Sequence, residues 1–288
     1  MTPEKKKQLL AFQVNEITEH HIYKRLSLLQ KKEHNRQVLT ELSDEELGHY
    51  QMLVKYTGKT PGPNKQRIWF YVLMARLFGL TFSLKLMERG EAMAQNAYRA
   101  HKNINELQKM AKEEEIHETK LINLIDEEGL NYMGSVVLGL NDALVEFTGA
   151  LAGYTFALQH SKLVALTGAI TGIAAALSMA ASEYLSTRTE NNPQKNALKA
   201  AVYTGIAYVI TVMVLILPFV LLSNVYWGLS ICLLGALIII AVFNYYYSVV
   251  KTESFKRRFS EMAIISIGIA SISFLIGYAL REITGIEL

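Results

Sequence analysis

The chain holds one cysteine in 288 residues, Cys232, and it lies inside an apolar run. A single thiol excludes a disulfide framework within the chain and a thiolate-built metal centre. Net charge is also scarce, at +3. With no basic patch interleaved with aromatics, nucleic acid is not an expected partner. The N-terminus, MTPEKKKQLLAF, starts basic but lacks the apolar stretch and cleavage site of a signal peptide, so none is expected. Charge of either sign is scarce in one half only. Residues 1–130 carry 20 Lys/Arg and 18 Asp/Glu, whereas residues 131–288 carry 9 and 8. The drop near Asn131 predicts two domains, 1–130 and 131–288.

The charge-poor half holds five apolar runs of spanning length, at about 132–158, 163–186, 198–222, 226–249 and 262–281. Two of the connections, TRTENNPQK (187–195) and KTESFKRRFSE (251–261), are Lys/Arg-rich. The other two, QHSK (159–162) and SNVYW (223–227), carry one Lys between them. The positive-inside rule then places the N-terminal domain in the cytoplasm and the C-terminus outside. A sixth apolar stretch, RIWFYVLMARLFGLTFSLKLM (67–87), is interrupted by Arg76 and Lys85. It reads as one helix buried on most sides of a soluble bundle.

Acids inside spans are costly and mark function. LGLNDALVEFTGALAG places Asp142 and Glu146 four residues apart on one face of the first span, near mid-membrane. ITGIAAALSMAASEYLS places Met179 and Glu183 four apart in the second. Gly149/Gly153 and Gly168/Gly172 have the spacing that lets helices approach closely. GLNDALVEFTGALAG followed by AALSMAASEYLS resembles the first two spans of the vacuolar iron transporter family. That resemblance implies five spans, a homodimer, and exchange of Fe²⁺, often Mn²⁺ too, for protons. It implies that Asp142 and Met179 line the metal path. Glu146 and Glu183 are candidate proton carriers. The sequence departs from the family in two ways. The connection after the second span lacks a Glu-rich helical insert, and Thr171 stands where some members have a carboxylate.

The charge-rich half reads as helix throughout, with GKTPGPNK (58–65) the one clear breaker cluster dividing it into two helical pairs. A pattern repeats across that break. Glu16 precedes Tyr23 by seven residues and Glu91 precedes Tyr98 by seven, so each pair shares a face. Glu46 and His49 then form an E-x-x-H, as do Glu114 and His117 inside EEEIHE (113–118). One such pair on an acid-rich helix means little. Two, each following an E-x₆-Y helix, match the donor set of ferritin-like di-metal bundles, one Glu from each of two helices and a Glu-x-x-His from each of the others. Four carboxylates neutralise two divalent ions, and two imidazoles complete the shells while leaving positions open for oxygen or peroxide. Glu88 competes with Glu91, and Glu113 with Glu114, for a ligand place. His20, four residues from Glu16, is a candidate supporting residue. The other histidines, His21, His34, His101 and His160, have no partner at ligand spacing.

This half resembles the rubrerythrin branch of the ferritin-like family, although the chain lacks the cysteines for a rubredoxin centre. The two halves together resemble the membrane-bound ferritin proteins of prokaryotes, in which a rubrerythrin-like domain precedes a vacuolar-iron-transporter-like domain. The expected fold is all-α, a ferritin-like four-helix bundle followed by five spans. The resemblance implies a metal/proton antiporter in a prokaryotic plasma membrane that exports iron from the cytoplasm. Its partners are divalent metal ions, protons, lipid and a second copy. Its cytoplasmic domain holds di-iron, or Mn²⁺ or Zn²⁺ in the same sites, and binds, senses or oxidises the metal. The competing expectation is a di-iron ferroxidase or peroxidase tethered by the spans.

Overall fold

A computed structural model describes residues 3–88, 112, 113, 117, 131–190 and 195–284. The described residues are helical apart from short connections, and the chain divides into two compact units, Met1–Glu127 and Glu128–Leu288.

In the first unit α1 spans Pro3–Leu28, α2 Glu33–Thr57 and α3 Lys65–Phe78, and a further helical segment covers 80–88. Helix α2 ends where Gly58 takes a left-handed φ of 66° and its N–H reaches the Val54 carbonyl. Helix α3 starts at Asn64, whose side chain accepts from the N–H groups of Gln66 and Arg67. Gln13 ties α1 to the connection after α2. It donates to the Lys59 carbonyl at 2.7 Å and accepts from Thr57 at 2.8 Å. The core unites Ile22, Tyr23 and Leu26 of α1, Leu39 and Leu42 of α2, Ile68 and Tyr71 of α3, and Leu80, Leu84 and Met87 beyond.

The stretch 67–87 is not the single buried helix that its composition predicts. Gly79 adopts φ 91°, ψ 163°, and the helix stops there. A positive φ of that kind is open to glycine and strained for other residues. The face left by the break is also less buried than expected, with Trp69 64% and Leu77 63% exposed. The four-helix bundle expected here rests partly on residues outside the described set, Glu91, Tyr98 and Glu114 among them.

Among the described residues, the second unit contains five helices long and apolar enough to cross a membrane: Met133–Leu158, Ser161–Thr189, Ala197–Leu221, Val225–Lys251 and Phe255–Ile283. Their outer faces present Ile170, Leu177, Ile210, Leu217, Ile238 and Leu275 to the surroundings. Apolar faces of that extent fit lipid, not water. The unit is an integral membrane domain. Asn196 caps the third span by accepting the Lys199 N–H, and Asn224 caps the fourth by accepting those of Tyr226 and Trp227. Gln159 and Thr252, at φ 49° and 56°, turn the chain after the first and fourth.

The first span is the hub. Phe147 and Leu151 pack against Gly172 and Gly168 of the second span. Gly139 lies against the backbone of Thr204 on the third, where an added Cβ would sit 2.5 Å from the carbonyl oxygen. Gly149 and Gly153 lie against Ser273 on the fifth. The two glycine spacings are therefore used inside this chain, and they carry no information about a second copy. Within the first span the α-helix is interrupted. Met133–Asp142 and Thr148–Leu158 are α-helical, and Ala143–Phe147 forms a π-helical turn.

Candidate metal centres

Helices α1 and α2 of the first unit bring Glu16, Glu46 and His49 together. Their ligand-capable atoms lie within 4.8 Å of one another, and all three residues are buried. His49 Nδ1 is 3.3 Å from Glu16 Oε2 and 3.4 Å from Glu46 Oε2. The other Glu46 oxygen faces His117 Nδ1 at 3.2 Å. The two imidazoles stack with centroids 5.8 Å apart. Each imidazole also meets an outer carboxylate. His49 Nε2 lies 3.1 Å from Glu113, and His117 Nε2 lies 2.7 Å from Glu45. The α-helical i, i+3 spacing puts Glu46 and His49 on one face of α2, and the packing of α1 on α2 brings in Glu16.

Glu16 and Glu46 are each 1% exposed. Carboxylates buried to that degree need partners, because desolvation opposes the charge. Burial pushes the Glu46 carboxyl up, but contacts with His117, His49 and Glu16 and the charge of His49 outweigh it and hold it at about 2. The donor set fits a divalent cation. Metal–oxygen and metal–imidazole bonds of about 2.0–2.2 Å separate neighbouring ligand atoms by about 3–3.5 Å, as His49 Nδ1 lies from Glu16 at 3.3 Å and from Glu46 at 3.4 Å.

The remaining expected residues of this unit fall as follows. Glu88 pairs with Lys85 at 2.7 Å. His20 Nδ1 lies 2.7 Å from the Ser43 carbonyl oxygen and 3.0 Å from its hydroxyl. Tyr23 is buried in the core. Glu91 and Glu114 lie outside the described residues. Glu113, the alternative to Glu114, is the carboxylate that meets His49. Glu45 was not anticipated. Its partner is 72 positions away in sequence, and no local spacing announces such a contact.

In the membrane unit, Asp142 is half-buried at the end of one α-helical segment and Glu146 is exposed within the π turn. Both carboxyls act electrostatically on Tyr208 of the third span. That tyrosine is 0% exposed, and its hydroxyl finds no hydrogen-bond partner among the described residues. A buried hydroxyl without a partner calls for a water or a ligand. Tyr208 was missed from sequence, because one tyrosine in an apolar helix reads as packing.

Glu183 accepts from Ser135 at 2.6 Å and from Thr187 at 3.4 Å, which fixes the start of the first span against the end of the second. The antiparallel register runs on through Phe147–Gly172 and Leu151–Gly168. It places Met179 roughly one turn, about 5 Å, from the level of Asp142, and Glu183 a further turn away. Polar and thioether groups thus step along the first two spans in the order Glu183, Met179, Asp142, Glu146. Met179 packs against the domain core. Thr171 meets the Tyr154 hydroxyl at 3.2 Å.

Residues 133–196 match the VIT family. The matched segment contains the first two spans and all four of those residues. No curated protein matches the chain.

Proposed function

We propose that the protein is a membrane transporter of divalent metal ions, with Fe²⁺ as its first substrate and Mn²⁺ as its second. One observation carries this reading. The VIT-family match falls on the two spans that carry Asp142, Glu146 and Met179, inside a five-helix membrane domain. A hard carboxylate and a soft thioether one turn apart suit a borderline cation such as Fe²⁺. Asp142 and Met179 bind the ion in transit, and Glu146 and Glu183 take protons in the opposite direction. Glu146 is exposed at mid-span in the single chain, where bare lipid is a costly neighbour for a carboxylate. A second copy covering that face answers the cost, and the working unit is a homodimer. The Lys/Arg-rich connections favour a cytoplasmic N-terminal unit by the positive-inside rule. A cytoplasmic metal collector ahead of an outward path makes the direction export, across a prokaryotic plasma membrane.

The N-terminal unit holds resident metal in the manner of a ferritin-like, rubrerythrin-type di-metal domain. Glu16, Glu46, His49 and His117 would hold it, with Glu113 and Glu45 behind the imidazoles. Iron held there would supply one-electron chemistry toward oxygen or peroxide. The protein's own groups set two imidazoles among four carboxylates, and the negative charge left over admits the cation.

The test is Fe²⁺ uptake into sealed proteoliposomes that enclose a metal-quenched dye and a pH dye. Metal entry with proton exit, abolished in Asp142→Ala, supports the antiporter. The buried Glu16–Glu46–His49 cluster favours a second reading, a tethered ferroxidase or peroxidase. Oxygen or peroxide consumption with Fe²⁺ and no flux in vesicles of checked orientation would establish that reading and remove the first.

A further inference from the structure

We propose that the π turn Ala143–Phe147 is a one-residue insertion that the carboxylate pair needs and the membrane fold does not, and that Ser266 of the fifth span is the positioning residue that holds it. The inference rests on the transport reading for the role of the pair.

The two α-helical parts of the first span are fixed independently. On one side Gly139 sits against the Thr204 backbone of the third span, and an added Cβ would meet its carbonyl oxygen at 2.5 Å. On the other side a Cβ at Gly149 would meet Ile269 and Ser273 at 3.0 and 3.1 Å, and one at Gly153 would meet the Ser273 carbonyl at 3.2 Å. Rotating either part about its axis would drive a side chain into a neighbouring backbone, so neither part can turn. One residue too many for an α-helix between two fixed ends goes into a π turn. Taking one residue out lets an α-helix run through with both glycine contacts in register.

The turn has a visible cost. In an unbroken α-helix the Thr148 N–H would bond the Leu144 carbonyl. Here it goes to Val145 instead. A carbonyl that no longer takes the Thr148 N–H has a lone pair open to a donor from another span. Ser266, 3% exposed, supplies one, its hydroxyl donating to the Leu144 carbonyl at 2.6 Å. Ser266 lies outside the VIT-matched segment, 122 residues from Leu144. The turn begins next to Asp142 and contains Glu146. It sets the angle between the two carboxyls and keeps Glu146 on the open face. A fold that needed only packing would drop the extra residue and the serine together.

The experiment uses the full chain, with Mn²⁺ as the probe. It compares deletion of Val145, Ser266→Ala, Ser266→Thr and the combination of the deletion with Ser266→Ala. Deletion of Val145 retains both acids and all the glycine contacts. It is expected to fold and melt at or above wild type, while the Mn²⁺ concentration for half-maximal flux rises about tenfold or more. Ser266→Ala is expected to lower the melting temperature by a few degrees in the wild-type background, to leave it unchanged in the deletion, and to weaken half-saturation. Ser266→Thr keeps the hydroxyl and restores both properties.

Three results overturn the proposal. The deletion fails to fold. It folds and carries Mn²⁺ with wild-type half-saturation. Or Ser266→Ala lowers melting equally in both backgrounds. Absence of flux in wild type itself defeats the transport reading and the site role with it, while the melting comparison still decides whether the turn is an insertion.

Discussion

The two units solve the problem of a buried acid in opposite ways. Around Glu46, the imidazoles of His49 and His117 close on the charge, and Glu16 and Glu46 are 1% exposed. Around Asp142 no cation answers the charge among the described ion pairs, the companion Glu146 is exposed, and Tyr208, on which both carboxyls act, has a hydroxyl without a partner among the described residues. A closed cluster that sets imidazoles against its acids suits an ion that stays. An open, uncompensated one suits an ion that moves, because tight binding at a transit point slows release. On the proposed reading, enclosure of the acid by imidazoles, more than the count and type of ligand, separates a resident site from a transit site.

The largest expected effect breaks the comparison on the membrane side. Asp142→Ala should lower metal flux by about a hundredfold or more, as loss of a directly contacting group does, while metal binding by the N-terminal unit is unchanged in calorimetry. Next comes the other side. Glu46→Ala removes the carboxylate shared by His49 and His117 and should destabilise the N-terminal unit by about 3–5 kcal/mol, read by urea unfolding. It should also abolish metal binding there while membrane flux persists.

A pH series sharpens the same contrast. The folded Glu46 carboxyl sits at about 2 against an ordinary 4.5. The unfolded state therefore takes up the proton first as pH falls. The stability that Glu46 contributes is complete above about 4.5 and is lost between 4.5 and 2, measurable as a falling unfolding midpoint in metal-free protein. Glu46→Gln should flatten that part of the profile. The smallest effect is common to both units. Asn64 and Asn224 each accept two backbone N–H groups at a helix start. Asn64→Ala and Asn224→Ala should each cost about 1 kcal/mol, with no change in metal binding or flux.

The membrane domain was the most legible part of the sequence, because a span must be apolar along its whole length. The runs at 132–158 and 198–222 correspond to helices Met133–Leu158 and Ala197–Leu221. The apolar run of the fifth span starts at 262, whereas its helix begins at Phe255. Hydropathy ends where charge begins, but the helix continues. Arg258 stacks on Tyr247 at 3.9 Å and pairs with Glu253 at 2.9 Å, so the charged turn is anchored.

The E-x-x-H spacing at Glu46 and His49 was legible because i, i+3 is local, and Glu16 came with it through the repeated pattern. The contact of Glu45 with His117 was not legible, because it depends on how distant segments pack. Gly79 announces no break in the sequence, because a lone glycine costs a helix only about 1 kcal/mol, and its φ of 91° is visible only in the folded chain. The π turn left no mark on the sequence at all. One extra residue does not disturb an apolar run, and its evidence is the pair of glycine contacts that fix the helix on either side.

The most direct measurement is Fe²⁺ uptake into sealed proteoliposomes that contain wild type or Asp142→Ala, with metal and pH followed inside the same vesicles. Metal entry coupled to proton exit in wild type, and neither in Asp142→Ala, is the expected result. Equal metal entry in both, or none in wild type of verified orientation, contradicts a transport path through Asp142.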